Sequence, residues 1–107
     1  MSLDFRLVKR QLTSVFDANI THNLCKMAGE AGIYQHLWRP EEIGITVASE
    51  LIEPLTKALA DMKARPDHYQ KFDSPNGWGK YIHFVPWVES VLEACKQHPD
   101  AQIDVCR

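Results

Sequence analysis

Polarity runs along this chain with two different periods, and the places where the period changes divide it. Over the first 18 residues the period is two. Leu3, Phe5 and Leu7 alternate with Asp4 and Arg6, and Thr13, Val15 and Asp17 oppose Leu12, Ser14 and Phe16. Side chains that turn to opposite faces at each step belong to extended backbone, so these segments predict two β-strands. The polar Lys9-Arg10-Gln11 between them is placed to turn a hairpin, without the Asn-Gly or Asp-Gly dipeptide of the tightest turns. Alternation returns only at Gln102-Ile103-Asp104-Val105-Cys106, which predicts a short closing strand.

Everything between repeats at helical spacing. From Leu24 the apolar positions are Met27, Ala28 and Ala31, and Gly32 is placed to end that helix in a left-handed cap. A short turn from Ile33 to Trp38 follows. Pro40-Glu41-Glu42 has the form of a helix first turn, with proline at its first position and acids at the positive end of the dipole. A second helix over about 46–64 carries the stripe Ala48, Leu51, Ile52, Leu55, Leu59 and Met62, and Arg65-Pro66 ends it. A third, over 81–97, carries Tyr81, Phe84, Val85, Val88, Val91, Leu92 and Cys95, and Pro99 stops it. Pro86 lies near its helix's first turn, whereas Pro54 sits in mid-pattern and should kink or divide its helix.

The order is β-β-α-α-α-β. Three apolar stripes need one surface to bury them, and a small sheet with an apolar face supplies it. The predicted fold is α+β: a three-stranded antiparallel-type sheet, N-terminal hairpin plus C-terminal strand, covered on one side by three helices. Such a sheet has two edges, which are covered either by other elements or by a partner chain, so a homodimer or another protein partner is expected.

Composition narrows this further. At 107 residues with 45% hydrophobic and 24% charged side chains, the chain predicts one globular domain, 1–107, since a second core would leave each half too small. Its 12 basic and 14 acidic side chains are evenly spread, without the Lys/Arg cluster that phosphate binding requires, so nucleic acid is not an expected partner. No apolar run approaches the ~18 residues of a membrane span, and no charged segment precedes an apolar leader. A soluble cytoplasmic protein with no membrane contact is expected. Cys25, Cys95 and Cys106 are odd in number, far apart and form no C-x-x-C pair, which argues against a disulfide framework and a thiolate zinc site. Cys25 and Cys95 fall on apolar stripes, as buried thiols do.

Three stretches, "NITHNLCKMAGEAGIYQHLWRPEEIG", "LTKALADMKARPDHYQKFDSPNGWGKY" and "VESVLEACKQHPDAQIDV", resemble a family of small uncharacterised proteins from bacteria and their phages. That family pairs a NITHNL…LWRPEE block with a downstream NGWG loop and a final alternating strand. The resemblance spans about residues 15–107. It implies a shared fold and carries no activity, ligand or catalytic residue. Cys25 stands where the family has glycine or another small residue, which counts against a nucleophilic role for it.

Three polar segments are candidates for chemistry. In "ANITHNL", Asn19 and Thr21 are both good helix N-caps, and Asn23 would lie in the first turn. His22 has no such structural reason, and an imidazole suits proton transfer near neutrality, so it is the candidate general base or a single metal ligand. In "SPNGWGKYIH", glycines around Trp78 just before a helix can present backbone N–H groups to an anion, with Asn76 and Lys80 beside them. The same pattern serves an ordinary loop that packs one large aromatic, and it is not a P-loop. In "HLWRPEE", the acids 41 and 42 point about 100° apart and form no acid–base pair, while Arg39 can clamp a carboxylate or phosphate. His22, His36, His68, His83 and His98 contain no H-x-x-x-H or HExxH, so no metal and no cofactor are expected. Trp78 and Trp87 read as core or interface anchors.

With no catalytic motif present, the reading favoured by the sequence is a non-enzymatic interaction domain that self-associates. Two others stand beside it. One is a small hydrolase using His22 with Asn19 or Asn23 near Trp78, which requires both loops to face one cleft. The other is an anion-binding module built on Lys80, Arg39 and helix N-termini.

Overall fold

Both chain ends meet in one sheet. The computed structural model describes residues 2–9 and 13–107. Strands β1 (Ser2–Lys9) and β2 (Thr13–Thr21) pair antiparallel, and β3 (Gln102–Cys106) pairs antiparallel with the other edge of β1, giving the order β2-β1-β3. Of the turn expected at 9–11, Lys9 ends β1 and residues 10–11 lie outside those described. Directly opposed residues share a face. Leu3 lies opposite Ile20, Phe5 between Ala18 and Val105, and Leu7 between Phe16 and Ile103. Leu3, Phe5 and Leu7 are fully buried. The other face carries Asp4 opposite Asn19, and Arg6 between Asp17 and Asp104, all exposed.

Strict alternation fails at one point in β2. Leu7 pairs with Phe16 and Val8 with Ser14, so Val15 is the extra residue of a β-bulge. The bulge lets consecutive residues Val15 and Phe16 both pack on the core, where alternation had put them on opposite faces. The far edge of β3 is partly closed by the chain entering the long helix: the N–H of Ile103 donates to the carbonyl of Thr46 at 2.9 Å, and Val47 bridges Gln102.

Among the described residues, seven helical pieces supply the rest of the core. A 3-10 turn at His22–Leu24 leads into α1 (Cys25–Glu30), then α2 (Tyr34–Trp38), a second 3-10 turn at Pro40–Ile43, α3 (Ser49–Ala64), α4 (Pro66–Gln70) and α5 (Tyr81–Gln97). Gly32 does end α1 as expected. Its φ is 79°, its N–H bonds the carbonyl of Gly29 at 3.1 Å, and the N–H of Ile33 bonds that of Ala28 at 2.9 Å, which is a Schellman cap. Pro40 begins a separate turn, and α3 starts three residues later than its stripe suggested. There Glu50 accepts the N–H groups of Thr46 and Val47 at 3.0 and 3.1 Å, holding both outside the helix. Those bonds hold the Glu50 carboxyl below its usual range.

Pro54 does not divide α3, which runs unbroken through it. It lies in the second turn, where only one ladder hydrogen bond is lost and the buried stripe Leu51, Leu55, Ala58, Leu59 and Met62 holds the rest. The helix α4 has no counterpart in the expected order. Proline at its first position starts it, and buried Tyr69 anchors it. Among the described residues no helix is long and apolar enough to cross a membrane. The radius of gyration is 13.2 Å.

Candidate functional site

The end of β2 and the loop before α5 come together. β2 runs through Ala18-Asn19-Ile20 to Thr21, so "ANITHNL" is strand first and helix only after His22. Thr21 is the cap: its Oγ1 accepts the N–H of Asn23 at 3.2 Å. Asn19 is not a cap, contrary to its sequence reading. It sits in the strand and its Nδ2 donates to Ser2 Oγ at 2.9 Å and Asp4 Oδ1 at 2.6 Å.

The loop is braced from within. Asn76 Oδ1 accepts both the Ser74 hydroxyl at 2.6 Å and the Trp78 N–H at 2.9 Å. The Gly77 N–H bonds the Ser74 carbonyl at 3.2 Å, and the Ser74 N–H bonds the Gly79 carbonyl at 3.0 Å. Asp73 Oδ1 takes the Tyr81 N–H at 2.7 Å, so a carboxylate of the chain itself occupies the start of α5. These N–H groups are committed inside the loop.

Two contacts join the segments. Asn23 Nδ2 donates to the Trp78 carbonyl at 2.9 Å. Gly79 is buried at φ 103°, and a Cβ there would stand 3.0 Å from Asn23 Cβ and 3.1 Å from Thr21 Cγ2. Only glycine allows that approach with that backbone.

Between them opens a cleft of about 870 Å³. Five of the residues singled out from sequence line it: Asn19, His22, Asn23, Asn76 and Trp78. Arg39 and Lys80 do not. Arg39 is engaged elsewhere, with Tyr34 Oη at 3.1 Å and Glu42 at 3.2 Å, and Lys80 caps α5 through its backbone. Ser2 and His83 line the cleft too and were missed. His83 had a signal, since it falls in the first turn after the glycine loop. Ser2 had none, because only the pairing of Ser2 with Thr21 brings it there.

Two aromatic readings change. Trp78 is not packed away; it is 71% exposed. The loop's own hydrogen bonds, not burial of the indole, hold its shape. His22 gains a structural role, its ring standing edge-on to buried Trp38 with centroids 6.4 Å apart. Its Nε2 is buried and has no hydrogen-bond partner among the described residues.

The thiols of Cys25 and Cys95 are poor nucleophiles. Burial pushes Cys25 up, partly offset by Arg39, and pushes Cys95 up to about 12. Cys95 is buried as its stripe implied, whereas Cys25 is half-buried and Cys106 is exposed on β3. Among the described residues no three potential ligands cluster to hold a metal.

Comparison of the chain with models of protein families, with curated proteins and with solved structures returned no match.

Proposed function

We propose that this chain is a non-enzymatic recognition domain that holds its partner in the cleft between the end of β2 and the Asn76–Gly79 loop. The observation that carries the reading is the convergence of two polar segments, more than fifty residues apart in sequence, on one concavity beside an exposed tryptophan. Concave sites with a few fixed polar groups and an aromatic wall are the usual form of ligand sites. Recognition is favoured over catalysis because a general base is normally oriented by a hydrogen bond to its second nitrogen. His22 Nε2 has no such partner among the described residues. The bacterial or phage setting implied by the NITHNL, LWRPEE and NGWG motifs belongs to the same proposal, as do a soluble cytoplasmic existence and self-association as a dimer. Light scattering across concentrations checks the last, and a strictly monomeric species removes it.

The experiment is a fragment screen read by amide chemical shifts of the ¹⁵N-labelled chain. Perturbations are expected to gather at 19–24, 76–79 and 83 and to vanish in Trp78→Ala. Perturbations that gather elsewhere, or none at all, overturn the reading. The hydrolase alternative has one observation in its favour, that His22 shares the cleft with the glycine loop. Turnover of model esters or amides that disappears in His22→Ala would put it first.

A further inference from the structure

We infer that the cleft binds a neutral saccharide, stacked on the indole of Trp78 and hydrogen-bonded by the amides of Asn19, Asn23 and Asn76. The inference rests on the cleft being the recognition site and names its ligand class.

Charge comes first. No Asp, Glu, Lys or Arg is among the residues that line the cleft. A phosphate or carboxylate would lose its hydration there with only the imidazoles of His22 and His83, and no lysine or arginine, to face it, which is unfavourable. The loop offers an anion few backbone donors, because the N–H groups of Gly77, Trp78 and Tyr81 are already bonded within the chain. A cation meets the same difficulty with sign reversed.

The amides are half used, and that fixes them. Asn19 and Asn23 each donate through Nδ2 to another part of the chain, and Asn76 accepts twice through Oδ1. The second polar atom of each, the carbonyl oxygens of Asn19 and Asn23 and the amino group of Asn76, has no partner among the described residues. Held rotamers lose little entropy on binding. Two acceptors and a donor from two segments call for a ligand rich in groups that both donate and accept, and a hydroxyl does both.

Trp78 supplies the third element. An indole 71% exposed, on a loop whose backbone is internally braced, offers a flat apolar plane to solvent. Its ring face carries partial negative charge, and the C–H bonds on one face of a sugar ring carry partial positive charge and are apolar enough to cover it. A volume of about 870 Å³ admits more than one sugar unit. A nucleoside would stack on the same plane but brings fewer hydroxyls to three amides, and a nucleotide adds a phosphate that no lysine or arginine lining the cleft neutralises.

The test is titration of the ¹⁵N-labelled chain with neutral gluco-, manno- and N-acetylglucosamine oligosaccharides, beside uronic-acid oligosaccharides, nucleosides and inorganic phosphate. At least one neutral oligosaccharide is expected to shift the amides at 19–24 and 76–79. Trp78→Ala, which removes an exposed side chain, should weaken that binding about tenfold or more. Asn76→Asp keeps the Oδ1 acceptor that shapes the loop and replaces the free donor, so it should fold and bind about tenfold more weakly. Binding that survives Trp78→Ala, or that shifts amides elsewhere, overturns the inference. So does a cleft that answers fragments, nucleosides or anions but no neutral saccharide, and in that case the recognition site itself still stands. A cleft that answers nothing removes both.

Discussion

Gly79 is where the two halves of the cleft touch, and it sets the sharpest expectation for a single residue. Gly79→Ala places a Cβ at 3.0 Å from that of Asn23 on a backbone at φ 103°, and should cost about 3 kcal/mol. Gly77 also has positive φ but nothing within 4 Å of its missing Cβ, so Gly77→Ala should cost only about 1 kcal/mol. Urea denaturation of both variants checks the order, and equal losses would refute the close approach. Thr21→Ala removes the cap on Asn23 N–H and should cost about 1 kcal/mol. The cap was legible because it depends on a neighbour two residues away. The role of Asn19 was not, since its partners Ser2 and Asp4 are reached only across a strand pair. Of the two readings of Trp78, core or interface anchor, its exposure removes the first: a glycine loop closed by its own hydrogen bonds needs no buried anchor.

The corner between α3 and α4 is held by one carboxylate. Asp61 accepts Arg65 Nε at 3.0 Å and Nη2 at 2.6 Å, and also the hydroxyl of buried Tyr69. Those bonds, Arg65 foremost and then Tyr69, hold the Asp61 carboxyl down at about 2, against an ordinary value of 3.8. A carboxyl depressed by folding stabilises the fold above its unfolded pKa, and that contribution is lost as pH falls from 3.8 towards 2. The difference in thermal midpoint between the parent chain and Asp61→Asn should therefore be constant near neutrality and shrink across that window. A difference independent of pH would refute the clamp. Tyr69→Phe leaves the carboxylate one donor short and should cost about 2 kcal/mol, measured by chemical denaturation. Sequence pattern placed the long helices well, since a stripe that repeats over four or five turns leaves little choice. It missed α4 because five residues cannot show a period, and it missed the β-bulge at Val15 because an inserted residue looks like ordinary alternation out of phase.

The molecule as a whole depends on β1. Phe5 lies at the middle of the central strand, fully buried, opposed by Ala18 and Val105 and edge-on to Trp87 with centroids 6.4 Å apart. Phe5→Ala should cost about 3–5 kcal/mol, a large part of what a domain of this size has in total. Urea denaturation should then show a much lower midpoint with one cooperative transition. A loss under 1 kcal/mol would mean that the sheet is not the floor of the core. The two edges of the sheet differ: Thr46 and Val47 shield β3, whereas no strand among the described residues pairs with the far edge of β2.

Periodicity alone led to the class of fold, the three strands, the long helices and most of the core, because each is recorded in a local repeat of apolar positions and burial acts on every turn of that repeat. Five of the cleft's residues also came into view from sequence, four as polar side chains where the period changes or a glycine loop precedes a helix, and Trp78 as the aromatic of that loop. Whether they shared a site was decided by contacts between segments distant in sequence: the Asn23 bond to the Trp78 carbonyl and the close approach at Gly79, both across more than fifty residues, and the strand pairing that carries Ser2 to Thr21. Such contacts leave no period in a single chain. They come from how the sheet twists and where each helix docks, and those are properties of the packed whole.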